Sequence, residues 1–288
     1  MRPIVNELSI YPIKSIQGIK LTESIAEFSG LTNDRKYLVV DKNGECVTGR
    51  KHPLITLINA TIRSDNTLEL AHPDQPDSLI INHTEFTNKR MTVDVWETKI
   101  DALICGSKYD TWMSNILSEP VTLVYFDEQS IRVTNRRPDM PVSFADSYPF
   151  LITSLASLQA LNDRCPETMV MERFRSNIIV DHCDAFAEDT WQKIKIGDAI
   201  FEAVTPCVRC IFTTLEPNTA QRGKKGEPIK TLAKFRMLEK KGVTFGMNFV
   251  CTQQGLIKQG DPIEILSYRE PEQYTDAKTT KKPSSNES

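Results

Sequence analysis

Short apolar runs in which apolar and polar positions alternate dominate the first hundred residues. They are VNELSIYPI, SIAEFSGL, KYLVV, ECVTG, LITLINATI, TLEL, SLIINH and RMTVDVW. Alternation with a period of two, in segments this short and separated by turn residues, predicts β-strands. The segment DKNG supplies one such turn, because Asn43-Gly44 tolerates the positive φ of a tight hairpin. The pattern indicates a small β-barrel or β-sandwich.

Three segments have helical spacing instead. SKYDTWMSNIL carries Trp112, Ile116 and Leu117 on one face, which predicts a helix. SLASLQALNDR repeats leucine at intervals of three from Leu155 to Leu161, behind a serine that can cap the helix. The segment TLAKFRMLEKK is the third predicted helix.

The second half of the chain returns to strand-like runs, namely VTLVYF, SNIIV, IKIGDAIFEAV, IFTT, GMNFVC and DPIEIL. We therefore expect two β-rich lobes with a boundary near residue 120. The last twenty residues, 269–288, are polar and have almost no apolar anchors, which predicts a disordered tail.

Composition and charge narrow the class of protein. The chain has 288 residues, 40% of them hydrophobic and 25% charged, with a net charge of -3. This balance shows no bias toward nucleic acid or an anionic membrane. The N-terminal segment lacks the apolar core of a secretory signal, and no run approaches the ~18 apolar residues of a membrane helix. We expect a cytoplasmic protein that binds neither a nucleic-acid polymer nor a membrane.

The seven cysteines are odd in number and scattered from Cys46 to Cys251, which favours reduced thiols over a disulfide framework. Two of them form a Cys-x-x-Cys in TPCVRCIFTT, at Cys207 and Cys210. A structural zinc site needs a second ligand pair, and the adjacent His182 and Cys183 lack the usual spacing. A thioredoxin-like pair would begin a helix, whereas this pair lies between β-prone runs. Spacing alone leaves zinc binding, thiol redox chemistry and plain packing all open.

Arg209, between the two cysteines, favours a fourth interpretation. A guanidinium beside a thiol favours the thiolate, which is the form that binds metal and is a soft ligand for a transition metal. One protein thiolate among cationic groups could hold a metal that arrives inside an anionic cofactor. That interpretation requires anion-binding residues elsewhere in the chain.

Candidate anion-binding residues occur in three further segments. YPIKS places Lys14 and Ser15 after a predicted strand, and GLTNDRKY places Arg35 before the next one. RFRSN carries Arg173, Arg175 and Asn177, which strand alternation would put on one face, with the last two reaching a ligand. Arginine gives bidentate phosphate contacts and lysine a point charge. Each residue alone is equally well a solvated surface charge, so the set has meaning only if the fold brings it together.

Seven motifs, in order, resemble those of the MOSC-domain family, most closely its bacterial YcbX-like members and the mitochondrial amidoxime-reducing components. They are YPIKS, GLTNDRKY, FADSYPFLITS, RFRSNIIV, EDTWQKIKIG, PCVRCIFTTLEP and QGDPIEIL. The resemblance covers roughly residues 1–268. It implies a mainly β fold with some α, in which an N-terminal MOSC β-barrel domain (1–120) precedes the MOSC domain (121–268), followed by the tail at 269–288.

The resemblance also implies a site for the molybdenum cofactor, in which molybdopterin carries molybdenum. Cys210 matches the cysteine that ligates the metal, and Val208 and Arg209 lie in the same cofactor-contacting loop. Asp146 matches an aspartate near the metal and is our candidate for accepting or relaying a proton. Cys207 is expected to be a neighbour and not a ligand. The residues expected to hold the pterin and its phosphate, or to add polar contacts, are Lys14, Ser15, Arg35, Thr153, Ser154, Arg175 and Asn177.

The function implied is a molybdenum-cofactor oxidoreductase that reduces small N-hydroxylated compounds such as hydroxylamines, N-hydroxylated bases and amidoximes. A plant-type ferredoxin domain needs four cysteine ligands, and only Cys251 follows Cys210. Electrons are therefore expected from a separate ferredoxin-like or cytochrome-b5-like donor and its reductase. Two alternatives remain: a sulfur carrier with a persulfide on Cys210, and a protein that stores the intact cofactor.

Overall fold

The computed structural model describes residues 2–223, 225–239 and 241–275 and confirms a mainly β fold. Its α-helices are α1 Ser107–Leu117, α2 Leu155–Asn162 and α3 Ile229–Leu232. Short 3-10 helices span Pro53–Leu57, His83–Glu85, Met171–Phe174, Ala187–Thr190 and Ile211–Thr214. The strands are β1 Ile4–Ile10, β2 Ile19–Leu21, β3 Glu23–Glu27, β4 Gly30–Leu31, β5 Tyr37–Val40, β6 Asn59–Ile62, β7 Leu68–Ala71, β8 Leu79–Ile81, β9 Arg90–Val95, β10 Thr98–Ile104, β11 Thr122–Tyr125, β12 Phe150–Ser154, β13 Ile178–Asp181, β14 Trp191–Ile196, β15 Ala199–Val208, β16 Met237–Leu238, β17 Gly242–Gln253, β18 Gly255–Lys258 and β19 Ile263–Tyr268.

The largest sheet has the strand order β19-β14-β15-β17-β12-β13-β1-β2, with β16 added beside β17. The segment before β19 returns to β1, because Val5 N donates to Asp261 O at 2.9 Å and Ile263 N donates to Pro3 O at 2.8 Å. This contact curls the sheet into a barrel-like closure that removes exposed strand edges there. Its core is mainly aliphatic with a few aromatic residues, and Phe150 and Phe201 meet edge to face at 5.0 Å between ring centroids.

The smaller lobe combines the sheet β5-β11-β10-β9 with the sheet β6-β7-β8. Helix α1 packs against them and buries Tyr109, Trp112, Met113 and Ile116, as its spacing predicts. It ends at Leu117, where Ser118 takes a left-handed conformation with φ 55°.

The two halves of the chain exchange strands. Strand β1 joins the large sheet by pairing with β13, and β2 pairs with the other side of β1. Strand β11, after residue 120, completes the small-lobe sheet by pairing with β5. The boundary near residue 120 stays a prediction, since strands on either side of it pair with the opposite lobe. This exchange lets the YPIKS segment, directly after β1, reach the larger lobe.

Several local predictions are wrong. IFTT forms a 3-10 helix, because the Thr213 hydroxyl donates to Cys210 O at 3.0 Å and so satisfies the backbone locally. LITLINATI is half 3-10 helix, and ECVTG forms only isolated bridges, from Cys46 to Val40 and from Glu45 to Asp94. TLAKFRMLEKK is helical only at its start, because the chain turns back after Arg236 to pair β16 with β17.

The C-terminal segment makes contacts up to residue 275. Arg269 N donates to Thr190 O at 2.7 Å, Tyr274 donates its hydroxyl to Asp189 at 3.2 Å, and Thr275 N donates to Met237 O at 3.0 Å. Residues 276–288 of the expected tail lie outside the described residues. Within the described part of the chain, none of the helices is both long and apolar enough to cross a membrane.

A cationic cavity around Cys210

A cavity of about 390 Å³ opens where β15 ends, between the two lobes. Of the described side chains that line it, seven are cationic and one, Asp146, is a carboxylate. This imbalance gives the cavity a strongly positive field despite the acidic whole chain. The seven cations are Lys14, Arg35, Arg50, Arg136, Arg175, Arg209 and Lys241.

Cys210 is exposed on the cavity wall, two residues after β15 ends. Its backbone is extended with φ -110° and ψ 174°, and it directly precedes the 3-10 helix Ile211–Thr214. Its carbonyl accepts from Thr213, but its Sγ has no hydrogen-bond partner among the described residues. The thiol is therefore free to bind a ligand placed in the cavity.

Arg209, which lies between the two cysteines, directs its guanidinium to Cys207. Its Nη1 donates to Cys207 Sγ at 2.9 Å, and its Nη2 donates to Phe174 O at 2.8 Å. Its Nε is buried with no hydrogen-bond partner in the described part of the chain, and its backbone N donates to Val243 O at 2.7 Å. Val208, the residue before it, is 50% exposed and also lines the cavity.

Lys14 and Asp146 form an ion pair on the cavity wall. Lys14, only 6% exposed, donates its Nζ to Asp146 Oδ1 at 2.5 Å and to Phe144 O at 2.9 Å. Buried Arg132 holds the loop by donating to Asp146 O at 2.9 Å. The Asp146 side chain is 71% exposed; desolvation at the cavity wall raises its pKa, but the charge and hydrogen bond of Lys14 outweigh this effect and hold the pKa well below its usual range. Asp146 is thus a carboxylate at neutral pH.

Ser15 fixes a neighbouring loop. It adopts φ 76°, and its Oγ accepts a hydrogen bond from Gly49 N at 3.1 Å. A Cβ on Gly49 would lie 2.7 Å from the Phe212 ring, so only glycine permits this approach. The contact holds Arg50, the next residue, at the cavity.

Arg35 and Arg175 share the ring of buried Tyr11. Their guanidinium carbons lie 4.3 and 4.1 Å from its centroid. Burial raises the pKa of Tyr11 to about 12 against the opposing charges of Arg175 and Arg35. Burial and the Arg35 charge lower the pKa of Arg175 to about 10. Arg35 also donates to Asp34 Oδ2 at 2.6 Å, so one carboxylate partly offsets the two cations.

Asn177 lines the cavity, but its amide groups serve the fold. Its Nδ2 donates to Ser9 O at 3.2 Å, and its Oδ1 accepts from Leu151 N at 3.3 Å. These bonds tie β13 to its neighbours β1 and β12, so Asn177 shapes the cavity wall from behind.

Three residues singled out in the sequence do not line the cavity. Thr153 donates to Ser176 Oγ at 2.8 Å, and Ser154 caps α2 by accepting from Ser157 N at 3.0 Å. Arg173 turns away to donate to Leu215 O at 2.9 Å, because the Met171–Phe174 3-10 helix and the left-handed Arg175 replace the expected strand. The hydroxyls of the first two bond within the fold, and their expected polar contacts with the cofactor stay a prediction.

Sequence reasoning missed Trp96, Arg50 and Arg136, which all line the cavity. Two carried a weak signal, since Arg50 follows the DKNG hairpin in TGRK and Arg136 lies in RRP, before the FADSYP motif. Trp96 carried no signal, because a tryptophan at the end of a predicted strand is normally interpreted as a residue of the hydrophobic core. Further wall residues not foreseen are Thr48, Ser147, Tyr148, Thr205, Phe212, Lys241 and Asn248.

The donor set suits a cofactor that brings most of its own metal ligands. In the described ranges, no group of three His, Cys, Asp or Glu side chains converges as a metal site. A zinc site of four protein ligands is therefore not favoured by these residues. One exposed thiol and seven cations match an anionic group whose metal needs a single protein sulfur.

Comparison with known proteins agrees with this arrangement. Residues 2–120 match the MOSC N-terminal beta barrel domain, and residues 139–264 match the MOSC domain. Mitochondrial amidoxime-reducing component 1 of Homo sapiens is 35% identical over 280 residues, covering 91% of this chain and 82% of that protein. Mitochondrial amidoxime reducing component 2 of Homo sapiens is 33% identical over 277 residues, covering 90% and 82%. Component 1 of Xenopus laevis is 31% identical over 280 residues, covering 90% and 81%.

Proposed function

Because the chain belongs to the MOSC-domain family, we propose that it is a molybdenum-cofactor-dependent oxidoreductase that reduces N-hydroxylated compounds. The observation that carries the proposal is the exposed Cys210 thiol, without a hydrogen-bond partner among the described residues, in a cavity with seven cations and one carboxylate. The names of the relatives support the substrate class, since amidoximes are N-hydroxylated.

The cofactor would be held by residues of both lobes. Cys210 would ligate molybdenum through its sulfur, and Lys14, Arg35, Arg175 and Arg209 would balance the charge of the molybdopterin and its phosphate. Ser15 would position the loop that carries Arg50. When bound, the cofactor supplies a two-electron redox centre, while the protein supplies orientation, one ligand and electrostatics.

The reaction has a simple balance. The N–O bond of the substrate breaks, two electrons and two protons are taken up, the oxygen leaves as water, and the nitrogen remains as the amine or amidine. We propose that the electrons come from a separate ferredoxin-like or cytochrome-b5-like protein and its reductase. The cytoplasmic location stays a prediction, and the relatives are named as mitochondrial.

Asp146 fits an orienting role better than the proton relay that the motif suggested. Its pKa lies well below the usual range because of Lys14, so its carboxylate is a weak base and holds no proton to donate. Its Oδ1 instead accepts hydrogen bonds from Lys14 Nζ and from Trp96 Nε1. It thereby fixes two side chains of the cavity wall.

Metal content and turnover test the proposal together. Protein made in a host that synthesises the cofactor should contain molybdenum and reduce an amidoxime with an added donor system. Cys210→Ser should lose both properties. Cys165→Ser is the matched control, since Cys165 lies outside the cavity wall with its Sγ 3.7 Å from Glu227. Molybdenum retained unchanged in Cys210→Ser would refute the assignment.

The sulfur-carrier alternative uses the same exposed thiol. It predicts an added mass of about 32 Da on Cys210, one sulfur atom as a persulfide, and no turnover of N-hydroxylated compounds. Intact-mass measurement with and without a thiol reductant separates the two functions. The storage alternative predicts bound cofactor without turnover when the donor is present.

A further inference from the structure

Trp96 lies at the tip of the β9–β10 hairpin in a conformation that tryptophan rarely takes. Val95 pairs with Thr98, so the hairpin loop has two residues, Trp96 and Glu97. Both have positive φ, 54° and 67°, as in a type I′ turn. Asn-Gly is the favoured pair in this turn, and a bulky residue in the left-handed region is strained.

The surrounding residues hold the hairpin tip in place. Asp94 Oδ1 accepts from Glu97 N at 2.8 Å, and Asp94 N donates to Gly44 O at 2.8 Å. A Cβ on Gly44 would lie 2.6 Å from Thr92 O, so the DKNG turn packs directly on β9. A strained residue that its neighbours hold in place is typical of functional sites.

The indole ring lines the cavity between the two lobes. Its Nε1 donates to Asp146 Oδ1 at 3.2 Å, and the Arg50 guanidinium carbon lies 4.1 Å from the ring centroid. Trp96 nevertheless remains 44% exposed while lining the cavity. The Arg50 guanidinium therefore covers part of the ring, and the rest of the indole is accessible on the wall of the cavity that Cys210 and Asp146 also line.

We propose that Trp96 is a positioning residue that stacks on the planar aromatic part of the N-hydroxylated substrate. This inference rests on the proposed function and adds a selectivity to it. Aromatic rings prefer offset-stacked or edge-to-face contacts, and the Asp146 hydrogen bond fixes the indole plane before the substrate arrives. Substrates whose N-hydroxylated group is attached to a ring gain this contact, and small aliphatic ones do not.

Tryptophan fluorescence measures the contact without turnover. The other two tryptophans, Trp112 and Trp191, are 8% and 1% exposed, so a bound ring mainly affects Trp96. Titration of the cofactor-loaded protein with benzamidoxime should quench its emission saturably. The same titration of Trp96→Phe should show no saturable quenching. Equal quenching in both proteins, or none in the wild type, would overturn the inference.

Kinetics then separate stacking from a merely structural role. Trp96→Asn suits the left-handed position and should fold at least as stably as the wild type. We expect it to raise the KM for benzamidoxime about five- to tenfold and the KM for acetamidoxime less than about twofold. Trp96→Phe keeps a ring but loses the Nε1 bond that orients it, so its KM for benzamidoxime should lie between those of the wild type and Trp96→Asn.

Equal losses with both substrates would overturn the stacking role, since the indole would then act on the cofactor or on the cavity shape. A wild type that turns over neither amidoxime would refute the proposed function instead. The fluorescence titration would still test the contact in that case.

Discussion

Arg209 donates its Nη1 to the Sγ of Cys207 at 2.9 Å, although Cys210 is its neighbour in sequence. The two cysteines of the motif therefore have different surroundings. Cys207 is half-buried and engaged by a guanidinium, whereas Cys210 is exposed and its sulfur has no such partner in the described part of the chain. Cys207 thus orients Arg209, and Cys210 remains available for a metal.

The first prediction concerns Cys207→Ala. Molybdenum content should stay near that of the wild type, because the proposed ligand Cys210 is unchanged. Arg209 loses one hydrogen bond, to a weak sulfur acceptor, so kcat/KM should fall by less than about tenfold. Molybdenum analysis with an amidoxime assay checks both values. Loss of the metal in this variant would show that Cys207 is also a ligand.

The second prediction concerns Tyr11, whose ring carries Arg35 and Arg175. Tyr11→Phe keeps both cation–π contacts and loses only the hydroxyl bond to Ser176 O, so the free energy of unfolding should fall by about 1 kcal/mol. Tyr11→Leu also removes the ring between two like charges and should cost about 2–4 kcal/mol. Urea unfolding of the cofactor-free protein measures both, and similar losses in the two variants would contradict the role of the ring.

The order of the motifs along the chain predicted several of the cations that line the cavity. The residue pattern within a motif did not predict which of its side chains point into the cavity. Lys14, Arg35 and Arg175 lie far apart in sequence, and their convergence follows from the early strand β1 joining the large sheet. Thr153 and Ser154 belong to the same motif as Asp146, FADSYPFLITS, yet their hydroxyls bond to neighbouring residues and do not line the cavity. Adjacency along the chain does not reveal the direction of a side chain when local hydrogen bonds compete for it.

Trp96 illustrates the opposite error. Its sequence context is an ordinary strand, and Asp146, its hydrogen-bond partner, lies fifty residues further along the chain. Only the placement of the β9–β10 hairpin against the larger lobe brings the indole to the cavity. Contacts of this kind depend on how the two lobes pack against each other. The hydrophobic periodicity and the composition of the sequence do not reveal that packing.

The third prediction concerns the pH dependence of stability. Glu188 is fully buried, and its Oε1 accepts from Ser157 at 2.8 Å while its Oε2 has no partner among the described residues. Burial, aided by the charge of Asp189, raises the pKa of Glu188 from 4.5 to about 7, against the Ser157 bond and Arg236. Between pH 4.5 and about pH 7, Glu188 is therefore protonated in the folded state but ionised in the unfolded state.

The contribution of Glu188 to the free energy of unfolding is accordingly greatest below pH 4.5, and it is lost as the pH rises toward about 7. Glu188→Gln cannot ionise, so it should exceed the wild type in free energy of unfolding at pH 8 by up to about 3 kcal/mol and match it near pH 4.5. Denaturation at both pH values measures the difference. A gain of equal size at both would show that Glu188 does not titrate on folding.

The last prediction tests whether Asp146 orients side chains or relays protons. Because Lys14 holds its pKa well below the usual range, Asp146 stays ionised through the neutral pH range and should contribute no limb to the pH profile of kcat there. Asp146→Asn retains an Oδ1 that accepts from Lys14 and Trp96, so kcat/KM should fall only about tenfold with an unchanged profile. Asp146→Ala removes the acceptor for both Lys14 and Trp96, so its kcat/KM should fall further than that of Asp146→Asn. Amidoxime reduction measured between about pH 5 and pH 9 distinguishes the roles, since a relay predicts that Asn and Ala lose activity equally.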